Sequence, residues 1–150
     1  TKVVGVLATA GTLKAQKYID TRDHFAEGIK VVEHIGQGFV ELVEKGILTG
    51  PEAEKTVETS LKPLLDEGAD TIVLGCTHYP FLTDTIRKVA SALAPGMDIQ
   101  IIDPAPAVAR QLLKVMTEKG MLPDGGGKAS TLILSSADPA KAEDFFRLNV

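Results

Sequence analysis

The sequence predicts an α/β fold in which an open parallel sheet is flanked by helices. Apolar runs of strand length alternate with segments of helical periodicity, which is typical of repeated β-α units. The apolar runs are continuous in Val, Ile and Leu, as in strands that helices cover on both faces. The 150 residues, of which 44% are hydrophobic, suffice for one ordinary hydrophobic core.

Five apolar runs are predicted to be strands. They cover residues 3–8, 30–34, 71–75, 99–102 and 131–135. A short helix is predicted near residues 13–18, directly after the first strand. No internal repeat and no extended low-complexity segment interrupts this alternation.

Four further helices are predicted from periodicity and capping signals. The segment TGPE at residues 49–52 resembles a capping box with proline in the first turn, and Pro63 predicts a kink or early end in the helix that follows. The clearest helix places apolar residues at helical spacing over 82–93 and ends at Pro95-Gly96. The next is expected over 107–119, and the last after Asp138-Pro139, with Asp138 as N-cap. These last two helices are expected to bury Val108, Leu112, Val115, Met116, Phe145 and Phe146.

Charge and composition exclude several classes of partner. The net charge is -4, and Lys and Arg form no basic stripe, so a nucleic acid is not expected to bind. No apolar run approaches the ~20 residues that a membrane span requires, so we expect no membrane partner. One cysteine and no secretory signal favour a cytoplasmic location. The chain starts at Thr1 inside an apparent strand, which suggests a segment of a longer protein.

The end of the first predicted strand carries two hydroxyl groups. In an open parallel sheet, ligands bind beyond the carboxyl ends of the strands, where loops enter helices. The turn ATAGT at residues 8–12 lies at such an end, and helix starts offer free N–H groups for a carboxylate or phosphate. It contains neither a P-loop nor a dinucleotide fingerprint. Thr9 and Thr12 therefore either bind a ligand or form an ordinary turn with a Thr cap.

The end of the third predicted strand carries a cysteine, in the run GCTHYP at residues 75–80. The positive end of a helix dipole favours the thiolate, which is the form of cysteine that takes a proton. His78 is near enough in the chain to orient the thiol of Cys76 or to contact a ligand carboxylate. A buried cysteine at a strand end is otherwise often inert. From these residues alone, a chemical and a structural role both stay open.

Other uses of the same residues fit the spacing poorly. A Cys-His hydrolase requires a third group that orients the base, and none is evident. Zinc requires three or four ligands at recognisable spacing, which Cys76, His78, His24 and His34 do not provide. No lysine has a context that indicates a pyridoxal Schiff base. We therefore predict no metal site at these residues.

Several runs together resemble one protein family. LGCTHYPFL at 74–82 is similar to the second cysteine motif of glutamate racemases, and LATAGT at 7–12 resembles the Ala-Thr-x-Gly-Thr turn earlier in the same half. Their order and separation also match. Weaker landmarks are FVELVEKG at 39–46, LKPLL at 61–65, IID at 101–103 and SSADP at 135–139. The cysteine motif is the specific one, and the resemblance covers nearly the whole chain.

The resemblance implies a two-lobed enzyme that interconverts L- and D-glutamate without cofactor or metal, for peptidoglycan synthesis. Each lobe of such an enzyme supplies one cysteine, and Cys76 matches the one that works on the proton of the L-enantiomer. Thr77 and His78 match substrate-binding groups, and His78 also assists the cysteine. Thr9 and Thr12 match the hydroxyl-bearing turn that faces the cleft. Glu44 matches an acidic residue near the site.

The resemblance also implies how the chain divides. Residues 1–103 would form a Rossmann- or flavodoxin-like racemase lobe with the second catalytic cysteine, and 104–150 a segment of a second, similar lobe. The Asp-Ser-Gly loop and Cys-Asn-Thr motif of the family's first half are absent, and IGQG at 35–38 replaces an Ala-Cys-Pro-like run. One chain alone is therefore expected to be inactive. The alternatives are a non-catalytic lobe that binds a small anion or has a regulatory role, and a related aspartate or hydantoin racemase; a homo-oligomer is also possible.

Overall fold

The computed structural model describes residues 1–123, 125, 130, 132–134, 136, 138, 140 and 142. Contacts along the chain define two compact units, Thr1–Leu112 and Leu113–Val150. Over the described residues, no helix is long and apolar enough to cross a membrane. The first unit contains all the residues predicted to belong to a functional site.

The first unit is built on a parallel sheet. Its strands are β1 (Val3–Ala8), β2 (Lys30–Ile35), β3 (Thr71–Gly75) and β4 (Gln100–Ile102). Their order is β2-β1-β3-β4, and every neighbouring pair is parallel. The predicted α/β class is confirmed, and the bounds of these four strands agree with the sequence prediction to within one residue. All four carboxyl ends lie at one edge of the sheet.

Helices connect the strands in the order expected of β-α units. They are α1 (Ala10–Lys14), α2 (Gln16–Phe25), α3 (Phe39–Glu44), α4 (Pro51–Asp66), α5 (Thr83–Leu93) and α6 (Ala105–Glu118), and a 3-10 turn at Tyr79–Leu82 precedes α5. The sequence predicted α5 with nearly the observed bounds. It predicted only the first part of α2 and no helix at α3, which is too short for a periodic pattern.

One face of the sheet carries the hydrophobic core. Leu7, Ile72 and Leu74 are fully buried there. They belong to the same buried cluster as the apolar sides of α4 and α5, represented by Leu61 and Ile86. The alternation of buried and half-buried residues along β3 follows from the two-residue period of a strand.

The opposite face of the sheet is covered by α2 and only in part. Val4, Val6 and Val73 line a groove of about 280 Å³ there, together with Tyr18 and other residues of α2. Phe25, at the end of α2, is 73% exposed. This face therefore retains accessible apolar surface, unlike the face that packs on α4 and α5.

The start and the interior of α4 differ from the prediction. Gly50, with φ 94°, is the N-cap and no side chain caps the helix, so the capping role predicted for Thr49 is wrong. Glycine adopts this left-handed backbone at little cost, which explains its place before Pro51. The helix also continues through Pro63 to Asp66, so the early end, one of the two outcomes predicted for Pro63, is wrong, and the kink stays a prediction.

The predicted burial along α6 is also wrong. Val108 and Leu112 are 65% and 59% exposed, and no residue of α6 is buried. The apolar spacing that predicted a helix is correct, because the helix forms. What the pattern cannot state is which surface the apolar side contacts.

The second unit contains the end of α6 and a few described positions beyond it. Residues 132–134 are not in a strand, whereas a strand was predicted over 131–135; residues 131 and 135 lie outside the described part. Leu132 and Leu134 are 81% and 83% exposed. Asp138 Oδ1 accepts a hydrogen bond from the Ala140 N–H at 3.0 Å, as expected of an N-cap. Phe145 and Phe146 lie outside the described residues.

Candidate active site

The site is centred on the turn that follows β3. The strand ends at Gly75, where an added Cβ would lie 2.9 Å from the Cβ of Ala8 on β1. Glycine at this position therefore allows the two strand ends to approach closely. The chain then turns, and the Tyr79 N–H donates to the Cys76 carbonyl at 3.2 Å before the 3-10 turn begins. This hydrogen bond, together with the close packing at Gly75, constrains the backbone that carries Cys76.

The reactive residues of this turn differ in accessibility. Cys76 is a free, half-buried cysteine that packs against the core cluster. Thr77 is exposed, and His78 is half-buried. A thiol that is partly exposed at the end of a buried strand has a fixed backbone and an open side toward solvent. The turn therefore combines a positioned thiol with polar neighbours.

The end of β1 supplies the two threonines. Thr9 is the N-cap of α1, and its Oγ1 accepts a hydrogen bond from the Thr12 N–H at 3.3 Å. The two hydroxyl oxygens are also 2.9 Å apart and hydrogen-bonded. The capping alternative that the sequence left open is thus observed, and it holds both hydroxyls at the carboxyl edge of the sheet.

Strand register brings the two turns together. Ala8 of β1 pairs with Gly75 of β3, and both strands end there. Thr9 and Cys76 are consequently the next residues on adjacent parallel strands, which lie about 5 Å apart in a sheet. The distance along the chain hides this proximity.

Glu44 reaches the same edge from a third direction. It is the last residue of α3, and its Oε1 lies 3.5 Å from His78 Nε2. The Glu44 side chain is 68% exposed and that of His78 is 32% exposed. At this distance the pair makes an ionic contact when His78 is protonated but no short hydrogen bond. All six residues singled out in the sequence therefore lie at this edge of the sheet.

Tyr79 belongs to the motif, but the sequence assigned it no role. Its side chain is 1% exposed, and its hydroxyl donates to the Gly36 carbonyl at 3.2 Å. Burial, together with the nearby charges of Cys76 and Glu41, raises the pKa of Tyr79 to about 12, although the bond to Gly36 opposes this shift. The phenol is therefore protonated at neutral pH.

A concave surface with charged lining residues lies away from this edge of the sheet. The groove of about 630 Å³ on the chain is lined by residues such as Arg22, Glu33 and Glu67, none of which belongs to the strand-end turns. In the part of the chain that the structure describes, no group of three or more His, Cys, Asp and Glu is placed to hold a metal ion. His24 is exposed and His34 half-buried, and His34 Nδ1 contacts the Ile35 carbonyl at 2.9 Å.

Comparison with known sequences identifies the family. Residues 1–112, which include every residue of the site, match the profile of the Asp/Glu/Hydantoin racemase family. The chain belongs to this family. The racemase motif around Cys76 therefore lies in the structural context expected of it, at the end of a parallel strand.

Individual members of the racemase family are similar over most of the chain. A protein named glutamate racemase from Pseudomonas entomophila (strain L48) is 43% identical over 137 residues, which is 91% of this chain and 49% of the relative. The chain thus spans about half the length of such relatives.

Solved racemase structures share the fold. Escherichia coli glutamate racemase, in complex with L-glutamate and the activator UDP-MurNAc-ala, has a TM-score of 0.73 and 25% identity, covering 98% of this chain and 53% of that chain. The Francisella tularensis subsp. tularensis SCHU S4 enzyme, in complex with D-glutamate, has a TM-score of 0.77 and 24% identity, covering 98% and 54%. The second likeness establishes the fold alone.

Proposed function

We propose that this chain is part of a glutamate racemase that interconverts L- and D-glutamate by proton transfer, with Cys76 as one of two proton-transferring thiols. The observation that carries the proposal is the position of Cys76 directly after β3, beside the end of β1 that carries Thr9 and two residues before His78, which contacts Glu44, in a chain of the racemase family. D-glutamate made in this way would supply peptidoglycan synthesis in the cytoplasm.

The chemistry explains why one thiol is insufficient. The α-proton of an amino acid is very weakly acidic, so a thiolate removes it only in a dry, preorganised cleft that stabilises the carbanionic transition state. Inversion also requires a proton donor on the opposite face of the α-carbon. Cys76 and His78 issue from one strand end, and Cys76 is the only cysteine of the sequence. The second thiol of this scheme must therefore come from outside this chain.

The neighbouring polar groups have complementary roles in this proposal. Thr77 is exposed beside Cys76, and its hydroxyl is free to bind a substrate carboxylate. The threonines of the β1 turn offer further hydroxyls at the end of the neighbouring strand. His78 orients the Cys76 thiol and contacts the substrate, and Glu44 holds the imidazole by its negative charge. No cofactor or metal is part of the scheme.

The division of the chain is part of the proposal. Residues 1–103 form the lobe that carries Cys76, and residues 104–150 belong to the lobe that supplies the other thiol. The exposed apolar residues of α6, Val108 and Leu112, support this division because an amphipathic helix usually buries that side. The relatives are about twice as long as this chain, which leaves room for the remainder of a second lobe.

Replacement of Cys76 by serine in a full-length racemase that carries this segment tests the function. Cys76→Ser changes the side-chain volume little, but a hydroxyl supplies far less anionic base than a thiol near neutral pH. We expect inversion of glutamate, followed by circular dichroism, to fall at least about 100-fold. Exchange of the α-proton in heavy water, followed by proton NMR, should persist for one enantiomer through the remaining thiol.

Substitutions of two different histidines, one in the site and one outside it, provide a matched comparison. His78→Asn should lower the inversion rate, whereas His24→Asn, on the exposed part of α2, should leave it unchanged. If Cys76→Ser inverts glutamate at nearly the parent rate, Cys76 is a structural residue and the proposed mechanism is wrong. Binding of glutamate without any α-proton exchange in the parent would instead favour the non-catalytic anion-binding alternative.

A further inference from the structure

Tyr79 lies where the ends of three strands meet. Its hydroxyl donates to the Gly36 carbonyl, directly after β2, at 3.2 Å. Its backbone N–H donates to the Cys76 carbonyl, directly after β3, at 3.2 Å. Gly36 in turn donates its own N–H to the Ala8 carbonyl, at the end of β1, at 3.2 Å. A continuous series of hydrogen bonds thus joins the three strand ends through one side chain.

The ring of Tyr79 is also closely packed, against Gly36 on one side and Phe39 on another. A Cβ added at Gly36 would lie 2.6 Å from both Cζ and the hydroxyl oxygen of Tyr79, so only glycine leaves space for the phenol. On another side, the ring packs edge-to-face on Phe39, the first residue of α3, with centroids 4.9 Å apart. Because α3 ends at Glu44, the same side chain also supports the helix that faces His78.

We propose that Tyr79 is a positioning residue for the proton-transfer site, which holds Cys76 in register with the ends of β1 and β2. Any inward or outward shift of the Cys76 turn breaks the bond between Tyr79 and Gly36 or presses the ring against Phe39. The thiol therefore keeps a fixed place relative to Thr9 and to α3. Proton transfer from carbon requires such placement, since small displacements of the base reduce the rate strongly.

The state of the phenol is consistent with positioning and not with proton transfer. Burial and the charge of Cys76 raise the pKa of Tyr79 to about 12. The hydroxyl thus stays protonated at neutral pH, also beside a thiolate, and remains a donor to Gly36. It is fully enclosed and its one hydrogen is committed to a backbone carbonyl, so it has no route to a substrate.

Alkylation of Cys76 in the native 150-residue chain tests the positioning. Because the sequence contains one cysteine, mass spectrometry after iodoacetamide treatment reports on this thiol alone. Tyr79→Phe keeps the ring and removes the hydroxyl, so we expect the alkylation rate to rise about threefold to tenfold, as for loss of one hydrogen bond. Gly36→Ala, which displaces the ring from the opposite side, should raise the rate at least as much.

A second buried hydroxyl provides the matched control. Thr85 Oγ1 donates to the Leu48 carbonyl at 2.6 Å, in the contact between α5 and the segment before α4. Thr85→Val should lower the stability in urea by an amount similar to Tyr79→Phe but leave the alkylation rate unchanged. If Thr85→Val accelerates alkylation equally, the effect is one of global stability and the proposal fails. It also fails if both Tyr79→Phe and Gly36→Ala react at the parent rate.

The inference rests on the proposed function, and a kinetic experiment separates the two. In a full-length racemase that carries this segment, Tyr79→Phe should lower kcat for inversion and leave KM nearly unchanged, because it misplaces the thiol without removing a substrate contact. A higher KM at unchanged kcat would contradict the positioning role. Failure of the proposed function itself would be recognised differently, by normal inversion in the Cys76→Ser variant.

Discussion

Glu44 and His78 face each other at a distance that limits the interaction energy of the pair. With 3.5 Å between Nε2 and Oε1 and a largely exposed carboxylate, the interaction belongs with surface ion pairs of about 0.2–1 kcal/mol. Glu44→Gln should therefore reduce the inversion rate of the full-length enzyme only about twofold to fivefold. Steady-state kinetics would measure this, with Glu58→Gln on α4 as a control. A loss above 100-fold would mean that Glu44 itself transfers a proton.

Glu33 forms a separate polar cluster with α2. Its Oε1 accepts hydrogen bonds from the Tyr18 hydroxyl and from Arg22 Nη1, both at 2.7 Å. Burial alone would raise the pKa of Glu33, but the bonds from Arg22 and Tyr18 outweigh it and lower the pKa. A carboxyl with a lowered folded-state pKa stabilises the protein above its unfolded pKa, and this contribution is lost as the pH falls through the folded value.

The cluster predicts a specific dependence of stability on pH. Glu33→Gln should lower the free energy of unfolding by about 0.5–1 kcal/mol at pH 7. The difference should shrink below pH ~4.3, the usual value for glutamate, and vanish once Glu33 is protonated in the native protein. Urea denaturation at pH 7, 4 and 3 measures it. A difference that stays constant over this range would show that packing, and not ionisation, is responsible.

The sequence singled out Cys76 and His78 as candidate site residues, but not Tyr79, which we propose positions the thiol. The motif GCTHYP identifies Cys76 and His78 because their chemistry is visible in the residue types. The bond between Tyr79 and Gly36 joins residues 43 positions apart, and no periodicity links them. In the sequence, Gly36 was notable only as a departure from the family pattern. In the structure, the Tyr79 ring occupies the space that a side chain at position 36 would fill.

The position of Pro63 inside α4 leads to a testable prediction about helix stability. The helix continues past it to Asp66, although proline has no N–H to donate to the Thr59 carbonyl. Pro63→Ala should raise the free energy of unfolding by about 1–2 kcal/mol, since the regained helix stability exceeds the loss of stiffness in the unfolded chain. Pro51→Ala is the control, because proline in the first turn replaces no hydrogen bond. Urea denaturation that finds Pro63→Ala less stable than the parent would contradict this reasoning.

The strands were easier to predict than the helices, for a physical reason. A strand buried on a parallel sheet is a short continuous apolar run, and β3 was located to the residue because Gly75 ends it. Helix ends depend on local backbone geometry. The left-handed Gly50 replaces the expected Thr49 cap, and α3 is too short for its apolar spacing to be distinctive.

A substitution on the apolar side of α6 tests the proposed division into residues 1–103 and 104–150. Leu112 is 59% exposed, so Leu112→Ala should change the unfolding free energy of the 150-residue chain by less than about 0.5 kcal/mol. In a full-length racemase that carries this segment, the same change should cost about 2–5 kcal/mol, because the side chain would be buried. Gln111→Ala on the same helix serves as the control. Equal small effects in both proteins would show that this side of α6 stays in solvent.

The family predicted from the sequence is confirmed, whereas the functional site at the carboxyl edge of the sheet and the assignment of residues 104–150 to a second lobe stay predictions. Periodicity states that α6 has an apolar side; it does not state what that side contacts. The strand predicted over 131–135 depended in the same way on a contact that the sequence does not reveal, because a strand forms only beside a neighbouring strand. Residues 132–134 are not in a strand. Both failures concern partners and not propensities.

The strand order β2-β1-β3-β4 has a consequence for how the two turns meet a ligand. The connection from β1 to β2 contains α2 and runs toward one lateral edge of the sheet. The connection from β3 to β4 contains α5 and runs toward the other lateral edge. Right-handed crossovers in opposite directions place these helices on opposite faces, as the two sides of the sheet show. The chain thus diverges between β1 and β3, at a topological switch point that leaves a crevice. The Thr9–Thr12 turn follows β1 and the Cys76–His78 turn follows β3, so the two turns lie on either side of this switch point. Because each turn belongs to its own β-α unit, the proposed racemase could change its ligand preference at the threonine turn without displacing the thiol.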